Sequence, residues 1–132
     1  MANILIIGAG AIGTAFSFPC SDKNHSVSII GTHLENNFID KINQKKIHPT
    51  LKCNVPKNVK FLKHDKLAEE INKKIDLIAV AVSSKGIDWV SLELSKVMKI
   101  KTPILILTKG LAINDNNYEV LAHKMERLLK KN

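Results

Sequence analysis

Six residues near the amino terminus, Gly8-Ala9-Gly10-Ala11-Ile12-Gly13, have the spacing that lets a backbone hold a phosphate. In a G-x-G-x-x-G run between a strand and a helix, each glycine has a separate job. Gly8 permits the tight turn out of the strand. Gly10 has no Cβ, so the backbone can approach a pyrophosphate. Gly13 lets the helix lie close against the sheet. The first amides of that helix face the phosphates, where the helix dipole favours negative charge. Such a run recurs by chance, and here its context gives it weight. Asn3-Ile4-Leu5-Ile6-Ile7 precedes it as a buried strand, Thr14-Ala15-Phe16 can open a helix, and a second strand follows. That order points to dinucleotide binding.

Other residues able to take part are few. Lys109 follows the apolar run Ile104-Leu105-Ile106-Leu107, so its ammonium can meet a phosphate or a carbonyl oxygen. The alternative is an exposed loop lysine in a lysine-rich chain. Ser83 and Ser84 can bond a cofactor or simply cap the next helix. An NAD-specific domain carries an acid about 20 residues past the glycines, to grip the ribose 2′-hydroxyl. Here the second strand ends in Gly31-Thr32-His33. Glu35 comes later and is expected in the first turn of a helix, favouring its dipole. A missing carboxylate removes a repulsion against a 2′-phosphate, to which Thr32 and His33 could donate. This leans toward NADP or dual use. The plainer reading is that Thr32 caps the strand end. The five histidines have no metal spacing, Trp89 reads as helix packing, and Cys20 and Cys53 read as free thiols.

The elements that would position these residues alternate along the chain. Strands are expected at about 3–7, 26–30, 59–62, 75–82 and 103–107. Helices are expected from residue 11, where Pro19 kinks or ends the last turn, and at about 35–43, 65–72, 87–97 and 118–130. The stretch 45–57 reads as a polar loop held extended by His48-Pro49 and Val55-Pro56. This pattern predicts an α/β fold, a doubly wound parallel sheet of Rossmann type ordered 3-2-1-4-5, with helices on both faces. Ligands of such sheets bind beyond the carboxyl ends of the strands, near the switch between strands 1 and 4. The glycine loop, Ser83-Ser84-Lys85 and Thr108-Lys109-Gly110 should meet there.

With 132 residues, the chain is long enough for one domain with a core. The formal charge of +8 invites a nucleic-acid partner, but Arg127 is the single arginine and few aromatics are available for base stacking. No nucleic acid is expected. No apolar run approaches the ~20 residues of a membrane span, and no basic n-region precedes the first strand. The expected location is the cytoplasm.

The pattern resembles the N-terminal domain of NAD(P)-dependent glycerol-3-phosphate dehydrogenases over essentially the whole chain. The family's glycine loop is matched by Gly8 to Ala15, and the end of its second strand by Ile30-Gly31-Thr32. His48-Pro49 with Val55-Pro56 matches its proline loop, Val82-Ser83-Ser84 the turn after strand 4, and Thr108-Lys109-Gly110-Leu111 the turn after strand 5. The last match discriminates best, since ketopantoate reductases typically have Asn-Gly there. The resemblance implies NAD or NADP as cofactor. Gly8, Gly10, Ala11, Ile12 and Gly13 would hold the pyrophosphate, Thr32 would lie by the adenosine ribose, and Ser83 would line the cofactor. Lys109 would contact both substrate and nicotinamide. Ile12 stands where many relatives have tryptophan, and Thr32 where many have arginine or histidine. Family members continue into a helical domain that supplies the catalytic lysine and most contacts to the phosphate substrate. This sequence carries no such region, so the expected behaviour is cofactor binding without turnover, with a homodimer possible through apolar surface. A non-catalytic dinucleotide-sensing module could use the same loop and would have no need of Lys109.

Overall fold

Five short apolar runs build one parallel sheet. In the computed structural model, which describes residues 1–99 and 101–131, the strands are β1 (Asn3–Ile7), β2 (Ser26–Ile30), β3 (Val59–Leu62), β4 (Leu77–Val80) and β5 (Ile104–Ile106). Their spatial order is β3-β2-β1-β4-β5, as the alternation of elements predicts. All neighbours run parallel, with Ile4 opposite Val27 on one side and Leu77 on the other. The order reverses between β1 and β4, which opens the crevice above their carboxyl ends.

Period-2 alternation sends successive residues to opposite faces, so two cores form. Ile4, Ile6, Val27 and Ile29 pack with Ile39 and Ile42 of α2 (Asn36–Lys45), and with Cys20 and Phe16 of α1 (Ala11–Asp22). Leu5, Ile7, Ile78 and Val80 pack with Leu67 of α3 (Leu67–Ile71), Val90 and Leu94 of α4 (Ile87–Val97), and Leu121 and Met125 of α5 (Leu121–Lys131). Helices therefore cover both faces.

Several expected boundaries move. Helix α1 runs through Pro19 to Asp22 instead of stopping there. The proline sits on the exposed side together with Ala15, whose carbonyl loses its helical partner facing water. A single 3-10 turn, His64–Lys66, replaces the first turn of the third helix. Strand 4 pairs over a shorter length than its apolar run. The largest departure lies after Gly110. The expected helix from 118 begins only at Leu121, preceded by an antiparallel hairpin, β6 (Leu111–Asn114) and β7 (Asn117–Val120). Asp115 and Asn116 turn it with φ of 48° and 64°, a left-handed pair that Asp and Asn tolerate in a two-residue hairpin turn. Tyr118 and Val120 therefore sit on a strand, not in the helix expected from residue 118. The loop 46–58 is also tighter than an extended run, closing on an Ile47–Asn54 antiparallel bridge.

Candidate functional site

The turn out of β1 is set by Gly8, whose φ is +110°. Its amide donates to the Ile30 carbonyl at 2.8 Å, which ties the loop to the end of β2. A Cβ there would lie 2.6 Å from the Ala81 carbonyl oxygen. A Cβ on Gly13 would run into the Gly8 carbonyl oxygen and come within 3.1 Å of the Ala81 Cβ. These two glycines bring α1 hard against β1 and the end of β4. Gly10 is different. It is the N-cap of α1, it has no side-chain cap, and no atom lies within 4 Å of where its Cβ would stand. The first turn of α1 thus starts with no side-chain cap and with open space beside Gly10, the arrangement a phosphate needs.

The loop is braced from below by residues that the spacing of the glycines does not reveal. Thr14 Oγ1 donates to the Ala9 carbonyl at 3.2 Å. His48, fully buried, reaches the same carbonyl through Nε2 at 2.9 Å. The Thr50 and Leu51 amides donate to His48 Nδ1 at 3.2 and 3.1 Å. Nδ1 is therefore an acceptor, and Nε2 carries the proton given to Ala9. A histidine followed by proline in a polar loop signalled only extended backbone, and its distant partner left no local mark.

A cleft of about 360 Å³ opens above this loop, lined by Gly8, Gly10, Thr32, Glu35, Ser83 and Gly86, with His33, Lys85 and Trp89 at its sides. Four expected site residues, Gly8, Gly10, Thr32 and Ser83, are thus brought together. Ala11, Ile12 and Gly13 sit beside it in the first turn of α1. Lys109 is exposed just outside the lining. Its turn is anchored to the same end of the sheet, because Thr108 Oγ1 donates to the Val82 carbonyl at 2.7 Å. Gly110 faces Ser84 there, its missing Cβ 3.4 Å from that side chain. Larger cavities of about 610 and 620 Å³ lie around Met98 and Thr102, at the amino ends of β4 and β5, away from the glycine loop.

Three residues depart from the plainer reading of their sequence. Ser83 precedes a 3-10 turn, Ser84–Gly86, without a side-chain capping bond, so its hydroxyl is left for the cleft. Trp89 packs on the core and also walls the cleft, its ring 5.0 Å from that of His33. Glu35 is the N-cap residue before α2, and its carboxylate turns back to the cleft. There Oε1 accepts the Thr32 amide at 2.8 Å and the Ala9 amide at 3.3 Å. The Thr32 hydroxyl accepts the Leu34 amide at 3.3 Å, so it does close its own loop. Among the described residues no group of three or more His, Cys, Asp or Glu gathers as a metal site.

Comparison with known proteins follows the same lines. A Francisella tularensis "Glycerol-3-phosphate dehydrogenase [NAD(P)+]" is 31% identical over 129 residues, covering 96% of this chain and 37% of the relative. One from Bacillus pumilus is 32% identical over 113 residues, or 84% of this chain and 31% of the relative. The chain thus spans about a third of the length of these relatives. The crystal structure of glycerol-3-phosphate dehydrogenase from Coxiella burnetii superposes with a TM-score of 0.82 at 22% identity, over 97% of this chain and 38% of that one. Residues 3–132 match the family described as NAD-dependent glycerol-3-phosphate dehydrogenase N-terminus, and with nearly its whole length matched the chain belongs to that family.

Proposed function

We propose that this chain binds a nicotinamide dinucleotide, NAD or NADP, as the N-terminal domain of an oxidoreductase interconverting dihydroxyacetone phosphate and sn-glycerol 3-phosphate. The observation that carries the reading is Gly10, which heads α1 at the strand switch with open space where a Cβ would be. A pyrophosphate fits that cradle, held by the backbone from Gly8 through Ala11 and Ile12 to Gly13. Thr32 would border the adenosine ribose and Ser83 would line the cofactor. Lys109, at the rim and without an ion pair to another described residue, would take a substrate phosphate or carbonyl oxygen. When bound, the nicotinamide would supply the hydride in the reducing direction and accept it in the other. In this reading the general acid or base comes from the helical domain of the family's enzymes, so the chain alone binds without turnover.

Calorimetric titration with NADH and NADPH tests the proposal, with quenching of Trp89, the single tryptophan and a wall of the cleft, as a second readout. The expected dissociation constant for at least one cofactor falls in the micromolar to millimolar range. Binding of neither overturns the reading.

A further inference from the structure

Resting on the dinucleotide reading, we infer that Glu35 is the specificity residue at the adenosine ribose: it accepts the ribose hydroxyls and repels a 2′-phosphate, so the site takes NAD in preference to NADP. The end of β2 offers no acid in sequence, since Gly31, Thr32 and His33 follow Ile30 directly. The fold supplies one all the same. The chain reverses at once, the Glu35 amide donating to the Thr32 carbonyl at 3.0 Å. That turn carries the Glu35 side chain back to the Ala9 amide of the glycine loop.

Its fixation is specific. One oxygen, Oε1, takes the amide of Thr32 at the end of β2 and the amide of Ala9 within the glycine loop. The carboxylate therefore bridges the two segments between which a dinucleotide's adenosine half must pass. Two amide donors fix its position, and no lysine or arginine pairs with it among the described residues. The other oxygen, Oε2, has no bond to another described residue, and Glu35 lines the cleft. A carboxylate accepts only, which suits a ribose diol with two donors. A 2′-phosphate brings about −1.5 to −2 charges to the same place.

No basic side chain on the cleft pairs with Glu35 among the described residues. His33 lies with its ring against Trp89, and Lys85 comes from the turn after β4, across β1 from Glu35. The Thr32 hydroxyl already accepts the Leu34 amide, and no arginine is near, Arg127 lying in α5 bonded to Glu119.

NADH and NADPH are titrated separately into the wild-type chain and into Glu35→Gln, with thermal melting to verify folding. The glutamine keeps an oxygen for the Thr32 and Ala9 amides and removes the charge. Wild type is expected to bind NADH tighter than NADPH by about tenfold or more. Glu35→Gln is expected to narrow that ratio, chiefly by strengthening NADPH. In wild type alone, added salt should narrow the ratio too, because repulsion between exposed charges is screened. Equal binding or a preference for NADPH in wild type, or a ratio unmoved by both the substitution and salt, overturns the assignment. Binding of neither cofactor overturns the dinucleotide reading itself, and this assignment with it.

Discussion

The three glycines of one motif answer to different physics, and substitution should separate them. Gly8 needs a positive φ and lies against the Ala81 carbonyl, while Gly13 lies against the Gly8 carbonyl. Alanine at either position must push backbone apart, so each variant should lose about 2 kcal/mol or more of stability. Gly10 has neither constraint. Gly10→Ala should cost under about 1 kcal/mol, the difference between glycine and alanine at an N-cap. It should weaken NADH binding by about tenfold or more, because the new methyl stands where the pyrophosphate approaches. Urea unfolding and NADH titration of the three variants check this. A Gly10→Ala chain that binds as wild type would remove Gly10 from the phosphate site. The glycine run was legible in sequence because each requirement is local. Glu35 was not, because its two backbone partners are fixed by a turn and by the neighbouring strand, and spacing along the chain put it on a helix.

At the scale of elements, the loop 46–58 is as important to the site as the helix that follows the glycines. Its buried His48 joins the Ala9 carbonyl to the Thr50 and Leu51 amides. His48→Leu fills similar space but leaves the Ala9 carbonyl with Thr14 Oγ1 alone and the Thr50 and Leu51 amides without their acceptor. The two amides are only partly buried and can take water, so a loss of about 1–3 kcal/mol is expected. NADH affinity should fall with it, since the glycine loop loses its brace. An unfolding midpoint equal to wild type would show that the histidine merely occupies space. Apolar periodicity located the five strands of the main sheet and α4, where burial on a sheet face dictates the residue types. It failed for β6 and β7. Leu111, Ile113, Tyr118 and Val120 share one face of that hairpin, and all four are exposed. An apolar pattern facing solvent carries no period tied to this domain's core. The signal that could have found the hairpin is Asn114-Asp115-Asn116-Asn117, a run of turn-forming residues between two short apolar segments.

The whole molecule is held by two cores on opposite faces of a sheet whose order follows from strand–helix alternation and right-handed crossovers, which is why the topology was readable before any contact was known. What alternation could not supply is the set of carboxylates held by local ion pairs. Glu70 of α3 is buried, and burial raises its pKa. The Lys73 ammonium, bonded to it, and the Ser28 hydroxyl on β2 outweigh this, holding it below the usual 4.5. The same bond raises Lys73. Glu119 of β7 is lowered by Arg127 of α5, whose Nε and guanidinium amine donate to both its oxygens at 3.0 and 2.9 Å. Glu126 is lowered by Lys130. A carboxyl with a folded pKa below its unfolded value contributes stability above the unfolded value and loses it as pH falls through the folded one. All three act in the same direction, and protonation also raises a formal charge already at +8. The melting temperature should therefore be nearly level on the neutral side of 4.5 and drop progressively below it. Glu70→Gln should lower stability near neutral pH and flatten the acid limb, because the group that binds the proton is gone. Melting curves from pH 7 to pH 3 on wild type and Glu70→Gln decide it. Parallel acid limbs for the two chains would mean that Glu70 keeps an ordinary pKa in the folded state and that its tie to Lys73 and Ser28 contributes no pH-dependent stability.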